Sequence, residues 1–333
     1  MAISYTSISQ TKLSTGEVYG ETLCELAKDN PRIVALTADL GKSTKMGNFA
    51  EQYPDRFYQF GIAEQNMYGT AAGMAKSGLI PFTSSFSIFA SCRALDQVHT
   101  DICYQKANVK LIASHAGTSF GQAGTTHHST EDIAIMRSLA NLVVIVPADG
   151  METANVVRAA VEYDGPVYIR INRGFDQVVY GTYDYGYQIG KAVEIYEGTD
   201  ATIIACGSCV FQALQAAREL EADGMRVRVL NMHTIKPIDR EAILKAVHDT
   251  RRIITVEDHT VIGGLGGAVA EVIAESGMSC AFKRLGLQDT FSPIGFHEDL
   301  MSIHGIDTNG IVTAVSDLLK MDFDDDEDWE DEV

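Results

Sequence analysis

At 333 residues, with 46% hydrophobic and 21% charged residues, the chain can build two globular cores and has no disordered composition overall. A formal net charge of −19 excludes nucleic acid as the main partner, because phosphate backbones demand basic patches. No apolar run approaches the roughly 20 residues that span a bilayer. The stretch "MAISYTSISQTK" lacks a basic region followed by an apolar one, so no signal peptide is expected and a cytoplasmic protein with reduced thiols is.

In chain order, short β-branched runs alternate with helical patterns, the signature of parallel α/β layers. Strands are predicted over 33–39, 56–61, 79–86, 109–117, 142–149 and 167–172. Helices are predicted near 16–29, 64–76, 88–105, 131–139 and 151–163. The strands are nearly continuous in apolar residues, which implies a sheet covered on both faces. The Gly- and Tyr-rich stretch "RGFDQVVYGTYDYGYQIG" breaks this rhythm and reads as a linker. A second series of strands follows at 201–206, 226–232, 252–258 and 281–287. The predicted organisation is therefore two doubly wound α/β domains, 1–185 and 186–320. The remainder, 321–333, is an acidic, solvated tail, "MDFDDDEDWEDEV".

Open parallel sheets collect ligands beyond the carboxyl ends of their strands. The loops there, "TADLGKS", "FGIAEQN", "TSSFSIFAS", "SHAGTSFGQAGTTHHSTED" and "IRINRG", all belong to the first half. Glu64 is an acid among small and apolar neighbours where a helix begins, and burial disfavours the charged form of such a carboxyl. A helix N-cap or first-turn acid is the structural alternative. Phe86 and Phe89 are spaced to form two neighbouring rings, suited to offset stacking on a flat ligand. The long Gly- and Thr-rich loop carries His115, His127 and His128, and such loops are often functional. Adjacent His127 and His128 make a poor zinc site without further ligands, and no metal ligand is assigned. "CGSC" at 206–209 has redox-motif spacing, but a strand end running into a helix cap explains it better.

Read together, "TADLGKS", "RFYQFGIAEQNMYGTAAGMA", "SFSIF", "SHAGTSFGQAGTTHHSTEDIAIMR", "PVYIRINRG", "TIKPID" and "VEDHTVIGGLGGAVAEVI" resemble the transketolase family over nearly the whole chain except the tail. The resemblance implies a pyrimidine-binding domain followed by a transketolase C-terminal domain. It implies thiamine diphosphate as cofactor, with Glu64 on a pyrimidine ring nitrogen, where it favours the imino tautomer that removes the thiazolium proton internally. Phe86, Phe89, Asp39 and Ile62 are the other cofactor-binding residues so implied. Asp39 has a helix N-cap as its structural alternative. His115, His127 and His128 correspond to substrate-contacting positions, with His127 also catalytic. Ser43 and Arg170 correspond to residues that bind a terminal phosphate, for which a planar guanidinium is suited. Arg170 could instead pair with an acid.

The chain departs from the family pattern at Ala123, where an acid is usual, at His128 for glutamine, at Cys92 for tyrosine and at Thr11 for arginine. These departures bear on which sugars, and whether phosphorylated ones, are used. The family's G-D-G signature for the diphosphate and its metal does not occur. The resemblance thus implies a split enzyme that moves a two-carbon ketol unit from a ketose to an aldose. A partner subunit would hold the diphosphate and Mg2+ or another divalent cation, in an alpha2beta2-type assembly. The alternatives are the beta subunit of a two-oxoacid dehydrogenase and a non-catalytic regulatory partner. Deoxyxylulose-phosphate synthase shares "GIAEQ" but is a single long chain. In the second half, "GGLGGAVAEVI" reads as tight helix packing. His233, Asp258 and His259 are expected mainly at contacts between subunits.

Overall fold

The computed structural model describes residues 12–321. Thr11 and the acidic tail beyond Met321 lie outside them. Six strands of the first half, Ile33–Thr37, Phe57–Gln59, Ile80–Phe86, Lys110–Ser114, Val143–Ile145 and Val167–Arg170, run parallel in one sheet. Lys110–Ser114 lies between Ile80–Phe86 and Val167–Arg170, and Ile33–Thr37 is flanked by Ile80–Phe86 and Phe57–Gln59. Helices Thr15–Asp29, Glu64–Lys76 and Gly150–Glu162 bury apolar faces against it. All five residues of Ile33–Thr37 and of Lys110–Ser114 are buried, as a sheet covered on both faces requires. The predicted helix over 88–105 is a broken series of short turns, Phe89–Arg93, Leu95–Gln97 and Val98–Cys103.

The seventh strand of this sheet comes from the second half. Thr234–Lys236, within "TIKPID", adds antiparallel to the edge strand Val143–Ile145. Three residues are too few to carry a strand signal of their own, so this pairing is a tertiary event. The second sheet holds Ala201–Ala205 between Val227–Asn231 and Arg252–Thr260, with Ala281–Leu287 on one edge and Val193–Tyr196 antiparallel on the other. A single hydrophobic cluster contains Leu111 and Val144 from the first sheet's strands together with Met232 and Val269 from the second half. The two layers therefore share buried apolar surface, which is the main favourable term in folding.

The stretch expected to be a linker is ordered by buried polar contacts. Asp149 accepts from the backbone N–H groups of Val179 and Tyr180, at 2.6 and 3.0 Å, while capping helix Gly150–Glu162 through Glu152 N. The buried Glu152 carboxylate accepts from Tyr185 and from Asn231, both at 2.9 Å. Tyr180 and Tyr185 stack with centroids 3.9 Å apart. Phe175–Gln177 pairs with Lys12–Ser14 as a small antiparallel ribbon.

In "GGLGGAVAEVI" the glycines serve close packing. A Cβ on Gly266 would lie 2.7 Å from Thr255 Oγ1 and 2.8 Å from the Arg284 side chain. The N-terminal N–H groups of helix Leu265–Ser276 point at Glu257, whose carboxylate accepts from Leu265 and Gly266 at 2.7 and 2.8 Å. Cys206 and Cys209 are buried free thiols whose pKa values burial pushes up. Neither has the exposure and electropositive surroundings of a redox cysteine.

Candidate active site

The parallel register brings the carboxyl ends of the first sheet's strands to one side. Thr37 leads to Asp39, Gln59 to Glu64, Phe86 to Phe89, Ser114 to His115 and Arg170 to Arg173. Phe86 pairs in register with Ser114, and so the next side chain along, His115, lies on the Phe86 ring with centroids 3.9 Å apart. Phe86 and Phe89 are stacked at 5.7 Å. Phe120 and His127 close the cluster edge-on: His127 lies 6.1 Å from Phe86, 5.5 Å from Phe89 and 5.6 Å from Phe120. Four residues expected at the site, Phe86, Phe89, His115 and His127, are thus in one aromatic group.

Glu64 is the first residue of helix Glu64–Lys76 and is 1% exposed. It does not cap that helix: the N-cap is Ala63, with no side-chain bond. Its carboxylate instead receives Arg93 Nη1, 3.0 Å from Oε1 and 3.1 Å from Oε2. The sequence places Glu64 among small and apolar neighbours; the fold adds a cation. Arg93 escapes a reading of the sequence because it lies 29 positions away and meets Glu64 only across the fold. Its guanidinium carbon also sits 4.1 Å from the Phe89 centroid.

His115 holds a left-handed backbone, φ +58°, which costs a non-glycine residue energy and is concentrated at functional sites. Ser114 Oγ lies 3.0 Å from its Nδ1. Burial, with the nearby positive charge of Arg173 and the His127 ring, pushes the His115 pKa down to about 3. The His115 imidazole is therefore neutral at physiological pH and presents one donor and one acceptor nitrogen.

Asp39 is also left-handed, φ +61°, and exposed. Its N–H donates to Gln59 Oε1 at 2.6 Å, and its side chain caps no helix. Asp39, Lys42 and Lys45 line a cavity of about 630 Å³ beside helix Thr15–Asp29. Ser43 is exposed on the same loop. Ile62, 75% exposed, stands two residues before Glu64.

Two residues expected to contact substrate, Arg170 and His128, are buried. Arg170 is 3% exposed and committed: Nε binds Asp132 Oδ2 at 2.9 Å, and Nη2 donates to the carbonyls of Ser129 and Asp258 at 3.0 and 2.9 Å. Its strand alternation turns it into the covered face, where it pairs with an acid and has no surface to offer a phosphate. Arg173, three residues on, is the exposed arginine, with its guanidinium carbon 4.7 Å from the Phe120 centroid. It lines a cavity of about 410 Å³ with Ser119, Gln122 and His297. His128 is likewise buried, 3% exposed, with Nε2 3.1 Å from the Gly121 carbonyl. It braces the loop from within, while its neighbour His127 faces the rings.

That loop is pinned by the second half. Asp258 accepts from Thr118 N–H at 2.9 Å and from Thr118 Oγ1 at 3.0 Å. Gly117 has φ +56°, and a Cβ there would lie 2.1 Å from Asp258 Oδ2. His259 Nε2 accepts from Ala134 N–H at 3.3 Å. His233 is buried against Tyr187, centroids 4.5 Å apart. Asp258 and His259 thus join the two halves of one chain, and so does the His233 carbonyl, which accepts from Val146 N–H at 2.7 Å.

Residues 11–175 match the model of the transketolase pyrimidine-binding domain, and residues 190–311 match that of the transketolase C-terminal domain. This chain belongs to the transketolase family. It is 38% identical over 302 residues to one of the subunits of the apulose-4-phosphate transketolase of Phocaeicola vulgatus, covering 91% of this chain and 96% of that one. It is 39% identical over 302 residues to the 6-deoxy-6-sulfo-D-fructose transketolase subunit SqwH of a Clostridium species, covering 91% and 93%. A solved split-gene transketolase, described as an inactive beta4 tetramer, superposes with a TM-score of 0.84 at 42% identity, covering 93% of this chain and 99% of that one. The chain thus corresponds to the separate C-terminal subunit of a split transketolase, a pyrimidine-binding unit followed by a C-terminal unit. Among the described residues no helix is long and apolar enough to cross a membrane.

Proposed function

We propose that this chain is the subunit of a thiamine-diphosphate-dependent transketolase that activates the cofactor and binds the sugar substrates, moving a two-carbon ketol unit from a ketose, as its phosphate, to an aldose. The observation that carries this is the buried Glu64 carboxylate beside the Phe86–Phe89 pair, with His115 and His127 on the same rings. That set fits an aminopyrimidine: a carboxylate for a ring nitrogen and flat apolar faces for the ring. The relatives are named as transketolase subunits, which supports a partner chain that would hold the diphosphate and its divalent cation. The working unit would be an alpha2beta2-type assembly in the cytoplasm, with the division between this chain's two domains near residue 185.

When bound, thiamine diphosphate supplies a carbanion equivalent at its thiazolium carbon. The buried Glu64 carboxylate would hold the pyrimidine ring nitrogen through a hydrogen bond, away from water. Phe86 and Phe89 would offer apolar ring faces to the aminopyrimidine. His115, neutral, and His127 beside it donate to, or accept from, the substrate's oxygens. Exposed Arg173 pairs with an anionic group at the far end of the substrate, the role that buried Arg170 cannot fill. Asp39, Ser43 and Ile62 are exposed, and a partner chain that completed the site would be able to reach them.

The test is reconstitution with a partner chain that carries the G-D-G signature. Ketol transfer from a ketose phosphate by the pair, its loss by at least about a hundredfold in Glu64→Gln, and no turnover by either chain alone are expected. Turnover of pyruvate with a lipoyl domain in place of a ketose would assign the chain to two-oxoacid dehydrogenases. An intact pair equally active with Glu64→Gln would make this chain a non-catalytic partner.

A further inference from the structure

The Glu64 carboxylate has one hydrogen-bonding partner among the described residues, Arg93. A carboxylate this deeply buried is costly unless a donor meets it. Arg93 has 44% of its side chain exposed, so it reaches Glu64 from the open side of the site.

The chain places it there by a local irregularity. Phe89–Arg93 forms a wide, π-type turn, which accommodates an extra residue in the helical path and is frequent at functional sites. The turn stacks residue 93 over residue 89, so that the guanidinium lies on the Phe89 ring at 4.1 Å while its Nη1 spans both Glu64 oxygens. One planar cation thereby couples the two groups that the proposed function assigns to the aminopyrimidine. Because a single amino group meets both oxygens, each oxygen keeps a second lone pair for another donor.

We infer that Arg93 is a positioning residue: it holds the Glu64 carboxylate turned toward the cofactor's ring nitrogen and in fixed register with Phe89. This rests on the proposed function. Arg93 acts on the ring nitrogen through Glu64, so its loss weakens recognition of that nitrogen while sparing whatever grips the diphosphate.

The experiment measures binding of thiamine diphosphate, and of its analogue with the pyrimidine N1′ replaced by carbon, to the reconstituted pair of chains. Wild type, Arg93→Met and Arg93→Lys are compared. Wild type is expected to prefer the authentic cofactor by about tenfold or more, the worth of one charge-assisted hydrogen bond. Arg93→Met should bring that preference close to unity with analogue affinity unchanged, and Arg93→Lys should restore most of it. Equal weakening toward both ligands in Arg93→Met would overturn the inference by showing a merely structural role. So would an unchanged preference, or tighter binding of the authentic cofactor, which would make Arg93 an occupant of the ring's place. Wild-type pairs that bind neither ligand would overturn the proposed function instead.

Discussion

Arg170 and Asp132 form a buried ion pair, Nε to Oδ2 at 2.9 Å, with side chains 3% and 0% exposed. The same Asp132 oxygen accepts from Tyr168 at 2.8 Å, and the same guanidinium donates to carbonyls of Ser129 and Asp258. One arginine therefore ties a strand of the first sheet, the histidine loop and the end of a second-sheet strand together. Burial opposes its charge, but Asp132 and Asp258 outweigh that and raise its pKa further.

Removing one partner of such a pair leaves a buried charge uncompensated. Arg170→Met is expected to destabilise the chain by about 3–5 kcal/mol in urea unfolding. The double variant Arg170→Met, Asp132→Leu should recover part of that loss, because no lone charge is left behind. A single variant within about 0.5 kcal/mol of wild type would show that the pair is not a structural tie.

Arg173 is expected to behave in the opposite way. Its side chain lies over Phe120 at the surface, so Arg173→Ala should change stability by less than about 1 kcal/mol. In the reconstituted pair it should raise KM for donors with an anionic end by about ten- to a hundredfold, as loss of a charge-assisted contact does. Neutral donors of the same length should be little affected. Steady-state kinetics with the two donor types decide it, and an equal effect on both would remove Arg173 from the substrate site.

Gly117 joins a left-handed backbone to a position where an added Cβ would lie 2.1 Å from Asp258 Oδ2. Gly117→Ala should therefore cost about 2 kcal/mol or more, from strain and from displacement of the Asp258–Thr118 bonds. The histidine loop should become more open to limited proteolysis. Cleavage in 117–130 at the wild-type rate would contradict this.

Asp149 is buried, and desolvation pushes its pKa up to about 6 from an ordinary 3.8, despite the N–H bonds from Glu152, Tyr180 and Val179 that pull it down. A folded-state pKa above the unfolded one means that the folded state holds its proton more tightly. Stability from this group is therefore fully present below about pH 4 and is lost as pH rises through about 6. Relative to Asp149→Asn, wild type should lose about 2 kcal/mol between about pH 4 and pH 7. Unfolding curves for the two proteins that shift in parallel over that range would falsify the assignment.

How much of this is written in the sequence depends on the distance over which each feature is decided. The helix predicted at 64–76 begins and ends at those residues, and the six parallel strands of the first sheet fall within the runs predicted for them. Apolar runs and their breaks are local, and a covered parallel strand needs little else to declare itself. Phe86, Phe89, His115 and His127 were likewise within reach, because strand ends in a parallel sheet converge and the family pattern marks them. Lys12–Ser14, Phe175–Gln177 and Thr234–Lys236 are too short to carry a period and exist only because a distant edge offers them hydrogen bonds.

Charges show the same division more sharply. The sequence by itself determined that an acid sits at residue 64 and that arginines stand at 93, 170 and 173. Only the tertiary structure decided that Arg93 meets Glu64, that Arg170 is sealed against Asp132 and that Arg173 stays in solvent. The reason is physical: a buried charge must find its counter-charge wherever the packed layers bring one. That partner lies 29 residues away for Arg93 and 38 for Arg170, well beyond any local periodicity.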